Sequence, residues 1–269
     1  MVESSNGMNQ DQVKTILLSI EDAPMEFTLI FSGKKSKKVN GLYKPDTREI
    51  IIHNRNFDDD NLLLYTAIHE YAHHLHACKQ GGALPARAHT TEFWAILHDL
   101  LEKAEAKGVY KNVFTDSPEL AELTATIREK YLLQNGSLVK ELGMLLRKAG
   151  ELCDAIGARF EDYIDRVLCI PRLAAKTAMK MFEYDLNPVL GSDNMRFLAG
   201  IKNEDDRAAA EKSLLSGRSP DAVKRETMKR PAEEDPRNRL EKEKLRLERT
   251  ISSLTKRLDE VERELETIV

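Results

Sequence analysis

The sequence predicts an α+β protein, with a small sheet and two helices near the N-terminus, an all-α region after them, and a coiled coil at the end. Three observations predict it. β-Branched and aromatic residues flank a Pro-Asp turn between residues 25 and 53. Apolar residues then recur at helical spacing from residue 62 to about residue 216. The last thirty or so residues carry a seven-residue apolar repeat.

Residues 12–20 read as a short helix, with Val13, Ile16, Leu17 and Ile20 on one face. MEFTLIFS, residues 25–32, reads as a strand, and the lysine-rich GKKSKKVNG after it as a loop. LYKPDTREIIIH reads as a hairpin, residues 42–43 pairing with 49–53. Asp58, Asp59, Asp60 and Asn61 offer N-caps for a helix over residues 62–79, which Gly81 and Gly82 terminate. Thr90 or Thr91 can cap the next helix, which runs to Gly108. Helices are expected at 117–133, 137–156, 160–168, 171–184, 195–201 and 204–216. The polar, proline-punctuated stretch from Arg218 to Pro236 reads as a linker. Leu240, Leu247, Leu254, Val261 and Ile268 then recur every seven residues, with Ile251, Leu258 and Leu265 between them. Self-association through this coiled coil is the favoured partner reading. The domains expected are residues 10–108, a helical domain over 109–220, a linker over 221–236, and the coiled coil over 237–269.

Composition narrows the function classes. The net charge of −4 gives no global drive toward nucleic acid. Cys78, Cys153 and Cys169 are an odd number with no CxxC spacing, which fits reduced thiols in a cytoplasmic protein. The N-terminus lacks the basic start and apolar stretch of a signal peptide. No apolar run approaches the roughly 18 residues that would cross a membrane.

The chemistry lies in His69-Glu70-Tyr71-Ala72-His73, an HExxH pattern on a capped apolar helix. Residues i and i+4 share a helix face, so both imidazoles can reach one Zn²⁺ ion. Glu70, beside the first ligand, is placed to act as general base and then to protonate the leaving amine. A catalytic zinc takes a third protein ligand. His53 sits on the expected strand, where a cross-strand or core role fits. His74 points about 100° from His73 and reads as supporting or solvated. His76 lies about 10 Å along the axis from His69, too far for one ion to bind all three. His98 reads as packed within the next helix, and Asp99 beside it is a further carboxylate. His89 follows the Gly-Gly loop and opens that helix, so the chain can fold it back onto the metal. Glu92 is its main competitor. Trp94, with Phe93, Ile96, Leu97 and Leu100, reads as core, and Tyr71 as packing. Tyr43 and Tyr65 are candidates for an oxyanion donor, with nothing to select between them.

HEYAHHLH, a loop, and then HTTEFWAILHDLL resemble the SprT-like zinc metallopeptidases, which include Spartan. That family has HExxH, a gap, and a third His followed closely by Phe or Trp. Fifteen residues separate His73 from His89 here. The resemblance covers about residues 62–101. It implies a minimal zincin fold, one Zn²⁺ held by His69, His73 and His89, Glu70 as catalytic residue, and Phe93 and Trp94 packing beneath the site. Thr90 stands where the family usually has Gly. The implied activity is endopeptidase cleavage of protein substrates, which in Spartan-like members are bound to DNA. The ImmA/IrrE-like regulators are a related picture whose third ligand is usually acidic, which would favour Glu92. In zincins an edge strand pairs with extended substrate, and residues 49–53 are the expected candidate.

Two features stay apart from that chemistry. Lys34, Lys35, Lys37 and Lys38 read as a solvated loop, or as a modest phosphate-contacting patch. Residues 159–184 hold two helices broken at Cys169-Ile170-Pro171, the second with Arg172, Lys176 and Lys180 on one face. That is suggestive of a helix-turn-helix, and so of DNA as a partner. The reading from another class is a DNA-binding or scaffold protein with a structural or degenerate zinc site.

Overall fold

The computed structural model describes residues 7–82, 84–85 and 87–227, and within the C-terminal segment residues 241, 244–245, 247–248, 250–252, 254–255, 258 and 261–263. The chain divides into two units, Met1–Thr227 and Met228–Val269. The first is mixed α+β, mostly helical, with one three-stranded sheet. Residues 10–108 and 109–220 both fall inside it.

Helix α1 (Gln10–Ile20) starts in a capping box between Asn9 and Gln12 and buries Val13, Leu17 and Ile20. Strands β1 (Thr28–Phe31), β2 (Gly41–Lys44) and β3 (Glu49–Ile52) follow. β2 and β3 form the expected antiparallel hairpin, Leu42 opposite Ile51. β1, however, pairs with β3 in parallel, so the order is β1-β3-β2. This corrects one expectation. β3, the strand of residues 49–53, is central and bonded on both sides, so it cannot receive an added strand. The edges are β1 and β2. β1's outer side is engaged by α1, for Phe31 N–H donates to Gln10 Oε1 at 2.9 Å. β2 is the edge left open.

Helix α2 (Asp60–Lys79) begins at Asp59, whose carboxylate accepts the N–H groups of Asn61 and Leu62. It lies across the sheet and is buried almost all round, from Leu63 to Ala77 except at Tyr65 and His69. Thr90 caps α3 (Thr91–Ala106) through Phe93 N–H. Phe27, Leu29, Ile50 and Ile52 pack with Leu64, Ile68 and Tyr71 of α2 and Phe93, Leu97 and Leu100 of α3 in one core.

Pro118–Ile127 (α4), a π-helical turn at Arg128–Leu133, and Gln134–Ala155 (α5) form one unbroken helical run. The break expected between residues 133 and 137 is absent. Gly136 and Gly143 are packing positions, where an added Cβ would stand 2.3 Å from the Pro188 carbonyl oxygen and 2.1 Å from that of Ala178. The pair α6 (Phe160–Asp162), with its π-helical continuation Tyr163–Leu168, and α7 (Arg172–Glu183) bends at Cys169, which adopts a left-handed conformation at φ 54°. Arg172 is held by Asp165 across this bend, so the basic stripe is neutralised at its first residue. Helices α8 (Gly191–Ala199) and α9 (Glu204–Leu215) complete a second cluster around Met181, Leu186, Met195, Leu198 and Leu214.

Residues 220–227 are helix α10 (Pro220–Thr227), where a linker was expected. Ala222 and Val223 are buried. Arg218 and Arg225 pair with Asp99 of α3, and His98 bonds Ser219. The rest of the expected linker, residues 228–236, lies outside the described residues. In the second unit the described residues are helical. Leu247, Ile251, Leu254 and Leu258 of the heptad are exposed, while Leu240, Leu265 and Ile268 lie outside the described residues. What is seen is a helical segment with an apolar stripe, without a packed seam among the described residues. No helix among the described residues is long and apolar enough to cross a membrane.

Backbone contact at Gly143 sets how closely α5 and α7 cross. Gly143→Ala should cost about 1–3 kcal/mol in denaturant unfolding, because a carbonyl cannot rotate aside as a side chain can. An unchanged midpoint would show that the crossing tolerates separation.

Candidate metal centre

The first turns of α2 fix the register of everything that follows. With Asp59 as N-cap, His69 and His73 fall one turn apart on the same face, toward the end of α3 that His89 precedes. His89 Nε2 stands 3.2 Å from His69 Nε2 and 3.2 Å from His73 Nε2. One ligand atom of each residue lies within 4.8 Å of both others. Donors set tetrahedrally around zinc at about 2.0–2.1 Å are separated by roughly 3.3–3.4 Å. The spacing found is therefore close to a coordination edge.

The protonation chemistry agrees. Burial, followed by the nearby His89, pushes His69 down to about 4. Burial, followed by His69, His89 and His76, pushes His73 down to about 3. Both rings are neutral near pH 7, the form that ligates a metal. Three rings whose Nε2 atoms converge cannot fully satisfy one another, since His89 Nε2 carries at most one proton to share between two neighbours. A cation accepts all three lone pairs at once. His69, His73 and His89 thus form a group that could hold a metal ion.

Aromatic rings fix the group in place. Phe93, fully buried, stacks on His73 at 4.2 Å between centroids and meets His69 and His89 edge-on at 5.0 and 4.7 Å. Trp94 stacks on His89 at 5.5 Å. The expectation that Phe93 and Trp94 pack beneath the site matches this arrangement, although Trp94 is only half-buried and is not simply core.

Glu70 is 7% exposed and faces the same cavity as the three histidines. Burial raises its carboxyl to about 7, against the opposing effect of a backbone N–H bond from Tyr43. The cavity, about 480 Å³, is walled by residues 39–43 at the β2 edge, Tyr65 and Thr66 of α2, and Leu84 and Ala88 of the loop. β2 approaches α2 so closely that a Cβ on Gly41 would stand 2.9 Å from Thr66 Cγ2 and 3.0 Å from Glu70 Cγ. Only glycine fits there without moving Thr66 or Glu70.

The remaining candidates are elsewhere. Glu92 pairs with Lys79 at 3.2 Å and lies outside the donor group. His53 Nδ1 bonds Ser32 Oγ at 2.8 Å, the expected cross-strand role. His76 is buried, and its Nδ1, like that of His73, has no hydrogen-bond partner among the described residues. His98 stacks on Trp94 and reaches Ser219. Asp99 is taken by Arg218 and Arg225. Of the two readings of His74, supporting or solvated, the structure excludes the solvated one, for the ring is fully buried. Its Nδ1 meets Tyr43 Oη at 3.1 Å, its Nε2 meets the Met25 carbonyl at 3.0 Å, and Cys78 Sγ lies 3.6 Å from Nε2. This cluster and the bond from Tyr43 to Glu70 escape sequence reading, because they join a strand and a helix about thirty residues apart. Tyr65 lines the cavity and packs near Tyr110.

No family model, curated protein or solved structure matches the chain.

Two measurements probe the centre. Zinc or cobalt should bind at one ion per chain, and Trp94, the single tryptophan, should report cobalt by quenching. His69→Ala, His73→Ala and His89→Ala should abolish this, while Glu92→Ala should not; loss with Glu92→Ala would move the third ligand. The second concerns Glu70 in metal-free protein. Its folded value, about 7, lies above the usual carboxylate value of 4.5. Wild type should therefore lose stability relative to Glu70→Gln as pH rises from 4.5 through 7, by at most roughly 3 kcal/mol, and level off above. Equal stability of the two at pH 8 would mean that the carboxylate is not burdened by burial.

Proposed function

We propose that the chain is a zinc-dependent endopeptidase of the SprT-like kind. The observation that carries this reading is the convergence of His69, His73 and His89 beside the buried Glu70 on one open cavity. No fourth His, Cys or carboxylate joins the donor group among the described residues. A structural zinc site is usually closed by four protein ligands, whereas a catalytic one keeps a position open. That distinction favours the peptidase over a structural or degenerate site. The acidic third ligand of the ImmA/IrrE-like picture has less support, since Glu92 is engaged by Lys79.

His69, His73 and His89 would hold the zinc, which when bound supplies Lewis acidity to the substrate carbonyl and to the attacking water. Glu70 would take a proton from that water and give it to the leaving nitrogen. Substrate would lie along β2. The Asn40 carbonyl accepts from His53 N–H at 2.9 Å, so by antiparallel alternation Gly41 and Tyr43 turn their backbone groups away from β3. Tyr43 N–H is used by Glu70, which leaves the Gly41 groups and the Tyr43 carbonyl for an extended peptide. DNA-associated proteins as substrates would follow the resemblance. Of the basic stripe on α7, Lys176 and Lys180 remain exposed.

Cleavage of labelled casein should require zinc, stop with chelator and return when zinc is restored. Glu70→Gln should keep one zinc per chain and lose about 10²–10⁴-fold in rate. Full activity in a zinc-loaded Glu70→Gln protein would sink the proposal.

A further inference from the structure

The long helical run of α4, the π-helical turn and α5 carries an apolar stripe that the first unit does not cover. Its inward side is Gly136, Gly143, Leu146 and Cys153. On another side Leu123, Ile127, Leu138, Leu142, Leu145 and Leu152 are all exposed, Leu138 by 64% and Leu152 by 59%. Leu120, Leu123 and Ile127 are spaced three and four apart, and so are Leu138, Leu142 and Leu145 reading in the other order. In an uninterrupted α-helix the two sets would be out of heptad phase by one residue. The π-helical turn Arg128–Leu133 lies between them and accommodates one extra residue. Tyr131 then enters the stripe, 64% exposed, and a single seam runs from Leu120 to Ile156.

That seam is about 54 Å long. Its large apolar residues expose on the order of 900 Å², above the 300–600 Å² of the largest patch on a typical monomer. Two such faces together would bury up to about 1,800 Å², the size of a stable specific interface.

We infer that this face pairs with the same face of a second copy of the chain, antiparallel. A heptad seam accepts a helix with the same repeat, and this seam fits its own reverse. About a midpoint between Asn135 and Leu138, Leu142 falls opposite Tyr131, Leu145 opposite Ile127, and Leu152 opposite Leu120. Asn135, inside the seam, already has a partner, because its Oδ1 accepts Ser192 N–H at 2.9 Å. On the solvent flank Gln134 comes opposite Glu141, Thr126 opposite Lys148, and Glu119 opposite Ala155, so no like charges meet. The C-terminal heptad segment is the competing occupant. The inference does not depend on the metal centre.

Sedimentation equilibrium of the full chain tests it, alongside Leu138→Glu/Leu145→Glu and Leu254→Glu/Leu258→Glu. The wild type should be a dimer. The first pair should weaken association by about 100-fold or more with unchanged helical circular dichroism, while the second pair stays dimeric. A monomeric wild type, or a dimer that survives the first pair, overturns the inference. Loss of the dimer with either pair means that the C-terminal segment occupies the face, and overturns it too. Should the first pair misfold, a short bis-maleimide applied in a Cys169→Ser background decides. Leu120→Cys mixed with Leu152→Cys should then cross-link between copies, and Leu120→Cys alone should not. Cross-linking of Leu120→Cys to itself overturns the antiparallel pairing.

Discussion

Burial of α2 is the constraint on which the N-terminal part of the protein depends. The helix is enclosed on nearly every side, yet it carries His69, Glu70, His73, His74 and His76. A buried polar side chain without a partner costs on the order of 1–3 kcal/mol. Most of the surrounding architecture answers that cost. Tyr43 and the Met25 carbonyl satisfy His74. The backbone of Tyr43 supports Glu70, and His89 closes over His69 and His73. What is left is the buried Nδ1 atoms of His73 and His76, without partners among the described residues, and a converging set of Nε2 atoms that could hold a metal ion. The metal reading thus follows from the interior's own accounting as well as from motif spacing.

α3 is the second shared element. One end presents Thr90, Phe93 and Trp94 to the histidines, and the next turn presents His98 and Asp99 to α10. The rings of His89, Trp94 and His98 are stacked in succession. His89 itself is exposed and sits just ahead of the helix, so its position depends on that stack and on the Thr90 cap. Through Ser219, Arg218 and Arg225, the far end of the first unit braces the helix that bears on His89.

Sequence reading reached the parts of this that are local. The i, i+4 pair, the Asp59 and Thr90 caps and the β2–β3 hairpin all depend on residues within a few positions of one another. His89 was legible because a Gly-Gly loop must return the chain and an aromatic pair follows it. Strand order was not, because the parallel β1–β3 pairing joins residues about twenty positions apart, with β2 between them in sequence. A break was expected between residues 133 and 137, yet the helix continues there and Gly136 marks close backbone approach to Pro188. The polar residues of 218–227 looked solvated, yet Arg218 and Arg225 are drawn to Asp99, more than a hundred residues away. Heptad signals were found at the C-terminus, where the repeat is regular, and missed in α4–α5, where the π-helical turn shifts the count by one residue.

Tyr43 shows how closely structure and chemistry are joined here. Its hydroxyl is tied to His74, with burial pushing the phenol up to about 12, so it remains a neutral donor or acceptor across the working range. Its N–H is tied to Glu70. The same residue lies on the β2 edge of the sheet, beside the cavity. A peptide added to that edge would press on β2 where even a Cβ on Gly41 would stand 3.0 Å from Glu70 Cγ. Little movement is possible without shifting the carboxylate. The proposed general base is therefore positioned by the strand that would bind the substrate, and occupancy of the edge and orientation of Glu70 should change together.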